Sequence, residues 1–265
     1  MQNISPLAFV NPDAKLGDNV IIEPFAFIDK DTVIGDNCHI RAHASVLAGT
    51  RMGTDNVVYE GAIIGAEPQD FRWKGCKSFV LIGNNNRIRE HVIINRSIHP
   101  EQATSIGNNS FIMAQTHIGH DSTIGDWCVL GNAVKIAGDC KVGNYSIMSS
   151  NALLHERCEI GDWVLIKGGC RVNSHVPPFS IMAHNPISYY GVNAVILRKG
   201  KYSEDTIDDI AKCYRHIYQC NTSIYNALER IDFDIKDSEV KTAITSFVRN
   251  HNMKIAALKE DWNRE

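Results

Sequence analysis

Aliphatic side chains recur at every sixth position over most of this 265-residue chain. The series runs Ile4, Val10, Leu16, Ile22, Ile28 and on to Ile64. It resumes at Ile82, Ile88 and Ile94, then holds from Ile106 to Val172. Of the 29 six-residue slots from 4 to 172, 26 are aliphatic; Asp70, Cys76 and Pro100 are the exceptions. A period of six matches neither an amphipathic helix nor an alternating strand. It is the mark of a hexapeptide-repeat parallel β-helix, an all-β prism.

Two further periods refine this reading. Four residues after each aliphatic the residue is usually small, as at Ala8, Ala26, Cys38, Ala62, Ser110, Cys128 and Cys140. One large and one small inward residue per short strand suits a narrow triangular prism. Glycines at 17, 35 and 53, and again at 107, 125, 143 and 161, are spaced in multiples of eighteen. Three hexads therefore make one coil, and these glycines, with the Asp or Asn that often follows, are expected to form tight turns at one corner. The ladder is long enough for about nine coils, roughly 45 Å at ordinary strand spacing.

A net charge of −3 argues against nucleic-acid binding or general attraction to membranes. No apolar run approaches a membrane span, and the N-terminus has no basic stretch leading into an apolar one. The expected location is the cytoplasm, without stable membrane insertion. Five of the eight cysteines (Cys38, Cys128, Cys140, Cys158, Cys170) fall in the small inward slot and read as buried apolar residues. No CxxC is present, so cysteine offers little for metal.

The ladder breaks twice. Near 66–81 and 96–105 loops are extruded, and the phase returns unshifted at Ile82 and Ile106. Loops on a rigid scaffold often carry function. Val176-Pro177-Pro178 is expected to end the ladder, because proline cannot feed a parallel sheet. Residues 179–200 read as a connector. After Gly200 there is no Gly or Pro; Ser203 is a plausible N-cap, and Ile207, Ile210, Tyr214 and Ile217 have helical spacing. The expected division is a prism over 1–190 and a helical domain of three or four helices over 191–265, capping one end. Flat prism faces favour a symmetric oligomer, a homotrimer best.

The outward residues carry the chemistry. Thr116-His117-Ile118-Gly119-His120-Asp121 places two histidines around the inward Ile118. Gly138, followed by Asp139, lies one coil beyond His120, and His155 two coils beyond Gly119, so these residues can gather on one side. A histidine is the natural general base near neutral pH, and Asp121 could orient it. A glycine stacked beside the base lets a backbone N–H approach a developing oxyanion. Zinc held by three histidines is the rival chemistry.

His117-Ile118-Gly119-His120-Asp121, together with the prism, the two loops, the Val176-Pro177-Pro178 exit and Tyr190-Gly191-Val192-Asn193, resembles the UDP-N-acetylglucosamine 3-O-acyltransferases of lipid A synthesis. That resemblance implies a left-handed coil. It also implies transfer of a (3R)-3-hydroxyacyl chain from acyl carrier protein to UDP-N-acetylglucosamine, without metal or other cofactor. His120 matches the general base and Gly138 the oxyanion glycine. Asp70 matches a residue on the glucosamine, and His117 and His155 line a cleft between subunits. Asn193 matches a nucleotide contact. Gly168 matches the position gating the acyl groove, its small size suiting a long chain. The chain departs from relatives at Asp139, at Glu156 and at Val195. Arg198-Lys199-Gly200 stands where an Arg-rich segment is usual, and Arg198, Lys199 and Lys201 could meet the acidic carrier protein.

Overall fold

The structure, a computed structural model, describes residues 3–258. Short strands, most of two residues, stack into three sheets of twelve, nine and eight strands, parallel except for one hairpin at the end of the first, the walls of a left-handed parallel β-helix. Ladder residues pair with the same position one coil on: Ile4 with Ile22, Ile22 with Ile40, Ile118 with Ile136. From Ile22 to Val172 they fill the interior with almost no exposure. Each such side chain contributes roughly 1.5–3 kcal/mol.

The two loops leave this register intact because each adds whole hexads. Val58 pairs with Ile88, thirty residues on rather than eighteen, and Ile88 pairs with Ile112, twenty-four on. The first loop, 67–78, is shorter than the break in the ladder suggests, since Phe79–Ile82 is already strand. The second occupies 96–102, between Ile93–Asn95 and Ala103–Ile106.

The corners are made differently from the expectation. The residues with positive φ lie three after each ladder residue, at Asn19, Phe25, Asp31, Asn37, His43 and onward with period six. The glycines spaced by eighteen have ordinary φ. They are glycine because successive coils touch there: a Cβ on Gly35 would lie 2.6 Å from the Gly53 carbonyl, and one on Gly17 would lie 2.7 Å from the Asp36 amide. Close approach, not turn conformation, requires them.

The small inward slot has a second task. Its hydroxyl or thiol hydrogen-bonds a carbonyl of the next coil: Cys38 to Gly53 at 3.1 Å, Ser122 to Ala137 at 2.9 Å, Ser146 to Gly161 at 2.8 Å. All eight cysteines are free thiols, and burial pushes those of Cys128 and Cys140 up to about 12.

The ladder continues past the prolines. Ser180–Ala183 pairs in parallel with the strand at Leu165–Ile166, and Met182 is fully buried at the ladder position. Pro177 and Pro178 sit in the corner before that strand and interrupt no sheet. Ser188–Val192 then returns antiparallel, so the expected connector is largely a hairpin.

Four helices follow among the described residues: α1 (Ala194–Lys199), α2 (Glu204–Gln219), α3 (Ile224–Asp234) and α4 (Glu239–Asn250). Ser203, Ser223 and Ser238 cap the last three, each accepting a backbone N–H three residues on. The buried stripe of α2, including Ile207, Ile210, Tyr214 and Ile217, packs toward the end of the prism, where the Tyr214 hydroxyl donates to the Pro178 carbonyl. No described helix is long and apolar enough to cross a membrane.

Candidate active site

The strand His117–Ile118 delivers the site. Ile118 is buried in the core. Gly119 lets the next coil close in, since a Cβ there would fall 2.7 Å from the Ala137 carbonyl carbon. His120 then turns outward but stays 7% exposed, and Asp121 takes the left-handed corner at φ 58°. Its side chain folds back so that Oδ2 lies 2.8 Å from His120 Nδ1. An ionised carboxylate only accepts, so Nδ1–H donates to it, and in the neutral ring the lone pair is then on Nε2.

Nε2 faces Asp70, whose Oδ2 is 3.3 Å away. Asp70 comes from the first loop, and Arg72 grips it with Nε at 3.0 Å, Nη2 at 2.7 Å and its backbone N–H at 2.7 Å. That grip holds the Asp70 carboxyl well below the usual carboxylate range. Arg72 also reaches Glu156 at 3.4 Å, tying the loop to a coil further up the prism.

Gly138 lies directly against the imidazole: a Cβ there would be 2.4 Å from His120 Cε1 and Nε2. Its own N–H makes no hydrogen bond within the described chain, while the Asp139 N–H is used, donating to the His120 carbonyl at 3.0 Å. An unspent donor therefore sits beside the ring edge that would act as base.

His117 hydrogen-bonds Asn95 Oδ1 through Nε2 at 2.7 Å, and Asn95 Nδ2 donates to the Glu67 carbonyl at 2.7 Å. Because the amide oxygen only accepts, His117 is the Nε2–H tautomer. Burial, then the nearby Lys135 and His120, lower its pKa, so it is neutral. His117 and His155 border one open cleft of about 400 Å³, walled also by Lys135, Ala137, Leu153 and Glu156.

The structure thus gathers His120, Asp121, Gly138 and Asp70, with His117, His155 and Glu156 alongside. The three histidines do not converge on a metal. Among the described residues the group with ligand atoms close enough is His99, Asp121 and Asp139, and Asp121 is already committed to His120. Asn193 is elsewhere, 2% exposed, its Nδ2 donating to the Trp163 carbonyl at 2.8 Å. Arg198 is paired with Glu204 at 2.7 Å, and Lys199 is exposed at the end of α1. A Cβ on Gly168 would press on the Ser150 carbonyl oxygen at 3.2 Å and meet Ser149 Cβ at 3.9 Å.

Residue-by-residue reading had missed Arg72, Asn95, Ser97 and Thr104. The Ser97 hydroxyl donates to Asp121 Oδ1, Ile98 N–H reaches Oδ2 at 3.1 Å, and Thr104 Oγ1 accepts the Asp121 N–H at 2.8 Å. Arg72 and Ser97 lie in the two ladder breaks, which was their one visible signal.

Comparison with known proteins points to one family. Residues 175–256 match the model of domain 2 of UDP-N-acetylglucosamine O-acyltransferase, and residues 103–138 match the bacterial transferase hexapeptide model of six repeats. Residues 4–103 match the GMPPB C-terminal domain model. An acyl-[acyl-carrier-protein]--UDP-N-acetylglucosamine O-acyltransferase of Gloeothece citriformis is 33% identical over 69% of this chain and 66% of its own length. The Pseudomonas putida protein of that name is 33% identical over 87% of this chain and 90% of its own. LpxA, a UDP-N-acetylglucosamine acyltransferase from Bacteroides fragilis, superposes with a TM-score of 0.93 at 41% identity, covering 97% of this chain and 100% of that one. With identity at that level across whole relatives, and the dyad, the loops and the prism in place, the chain belongs to the UDP-N-acetylglucosamine O-acyltransferase family.

Proposed function

We propose that this chain carries out its family's reaction, acyl transfer from acyl carrier protein to the 3-hydroxyl of UDP-N-acetylglucosamine at the start of lipid A synthesis, with His120 as general base. The observation that carries this reading is the pairing of His120 Nδ1 with Asp121, which in the neutral ring leaves the lone pair on Nε2, facing Asp70 and beside Gly138 with its unspent N–H.

Nε2 takes the proton as the sugar oxygen attacks the thioester carbonyl. Asp121 steadies the imidazolium that forms. The Gly138 N–H donates to the oxyanion of the tetrahedral intermediate. Collapse breaks the carbon–sulfur bond, and the proton passes from His120 to the departing thiolate. Asp70, kept ionised by Arg72, accepts from a second polar group of the glucosamine and so orients its 3-hydroxyl. His117, His155 and Glu156 border the substrate cleft, Asp139 follows the oxyanion glycine, and Asn193, buried with its amide donating to the Trp163 carbonyl, is set back from the cleft.

The reading extends to a homotrimer in the cytoplasm, whose clefts lie between subunits. The donor carries a (3R)-3-hydroxyacyl chain, and the absence of a side chain at Gly168 suits a long one. Arg198 is held by Glu204, so Lys199 and Lys201 are the better candidates to meet an acidic carrier protein.

The direct test is turnover of UDP-N-acetylglucosamine with a panel of 3-hydroxyacyl carrier proteins, following the acylated nucleotide sugar by mass. Product from one chain length is the expected result. His120→Ala should keep the fold and lose about two to four decades in kcat. Undiminished turnover in that variant would remove His120 from the mechanism.

A further inference from the structure

We infer that Ser97, in the second extruded loop, is a positioning residue for the His120–Asp121 pair, setting the rotation of the Asp121 carboxylate and, through it, the tautomer and aim of the base. The inference rests on the reading of His120 as base and deepens it.

Asp121 sits at a left-handed corner, where the local partner of its carboxylate is the neighbouring His120. Its orientation is set from outside. Oδ2 is shared by His120 Nδ1 at 2.8 Å and the Ile98 N–H at 3.1 Å, while Oδ1 faces the Ser97 hydroxyl. The hydroxyl has one proton and two acceptors within reach, Asp121 Oδ1 and the His99 carbonyl at 3.3 Å. The carboxylate is the nearer and the charged one, so it takes the proton. The Ser97 oxygen in turn accepts the His99 N–H at 2.9 Å, which fixes the direction of the donation.

Ser97 is itself immobilised. It is fully buried, its carbonyl accepts the Ser78 hydroxyl at 2.6 Å, and Ser78 is buried too. A chain of fixed hydrogen bonds therefore runs from Ser78 through Ser97 and Asp121 to His120. The six residues that this loop adds to a coil bring two donors to one carboxylate, a contact that an uninterrupted coil lacks. Without the hydroxyl, Oδ1 would be a buried charged acceptor short of a partner, and the carboxylate would turn to find one.

The test is a double-mutant cycle in kcat at saturating donor and acceptor. Ser97→Ala should lower kcat about 10–100-fold with little change in either KM. In an Asp121→Ala background the same substitution should change kcat less than about twofold, because Ser97 acts only through that carboxylate. Ser97→Thr and Ser97→Val, matched in shape, separate hydroxyl from packing and serve also if Ser97→Ala folds poorly. The threonine variant should remain active and the valine variant should fall with Ser97→Ala. Wild-type kcat in Ser97→Ala, an equal loss in both backgrounds, or equal loss in the threonine and valine variants would each overturn the assignment. His120→Ala run alongside keeps the two readings apart: if it retains turnover, the base itself is wrong, whatever Ser97 does.

Discussion

Gly138 and His120 are in contact one coil apart, so close that a methyl group on the glycine would fall 2.4 Å from the imidazole Cε1 and Nε2. The glycine admits the ring and offers its N–H at the same edge. Gly138→Ala keeps the N–H but displaces the His120 ring. It should cost about a hundredfold in kcat, as expected of a misplacement near 1 Å. Circular dichroism should stay unchanged, because His120 faces outward and can yield. Steady-state kinetics on the purified variant would check this.

Arg72 orders Asp70 beside His120 and ties the first loop to Glu156. Arg72→Ala should therefore raise the KM for the nucleotide sugar more than it lowers kcat. It should also return Asp70 toward its ordinary value of 3.8, from which Arg72 now depresses it. With its pKa depressed, the Asp70 carboxylate persists well below pH 3.8, and the interaction is lost only as pH falls through the lower folded value. An NMR titration of the Asp70 carboxyl in both proteins would show the difference. An unchanged titration would detach Arg72 from Asp70.

Gly35 tests what the corner glycines are for. Its φ is ordinary, yet a Cβ would meet the Gly53 carbonyl at 2.6 Å. Gly35→Ala should destabilise by about 1–3 kcal/mol through overpacking of two coils. Asn37→Gly, at a true left-handed position, should stay within about 0.5 kcal/mol. Denaturant unfolding at one protein concentration measures both. The reverse order would restore the turn explanation.

His175 joins the last coil to the helical region. Its Nδ1 accepts the Glu159 N–H at 3.2 Å, which requires a neutral ring. His251, at the end of α4, packs on it with ring centroids 4.1 Å apart and tilted by 39°, and reaches the Phe247 carbonyl and Glu159; Lys141 also approaches Glu159, and Lys254 lies near enough to act on the ring. Burial, then His251, lowers the His175 pKa below 6.5, against the opposing pull of Glu159. The unfolded chain therefore takes up this proton first. Stability from this contact is full above about pH 6.5 and falls as pH drops from there toward the folded value. Tm should decline between pH 7 and 5, and His175→Gln should flatten the decline. An identical slope in the variant would place the sensitivity elsewhere.

The ladder was legible because each inward side chain needs only its neighbours six and eighteen residues away. Period alone therefore yields the coil, the core and the free buried cysteines. The His117–Asp121 stretch was legible for the same reason, with Gly138 one coil on. The glycine spacing was also visible, but its cause was not, because ordinary φ and close approach leave the same letter in the sequence. The prolines misled because a corner and a strand interior cannot be told apart without register.

What the sequence by itself determined is the repeating scaffold and the placing of His120 beside Gly138, since these follow from a strict one-dimensional period. Only the tertiary structure decided that Asp70, Arg72 and Ser97 converge on the pair His120–Asp121. Those residues lie in segments that escape the period. Their positions depend on how each loop folds back over the coils, a matter of packing and hydrogen-bond satisfaction between residues 24 to 50 apart in the chain.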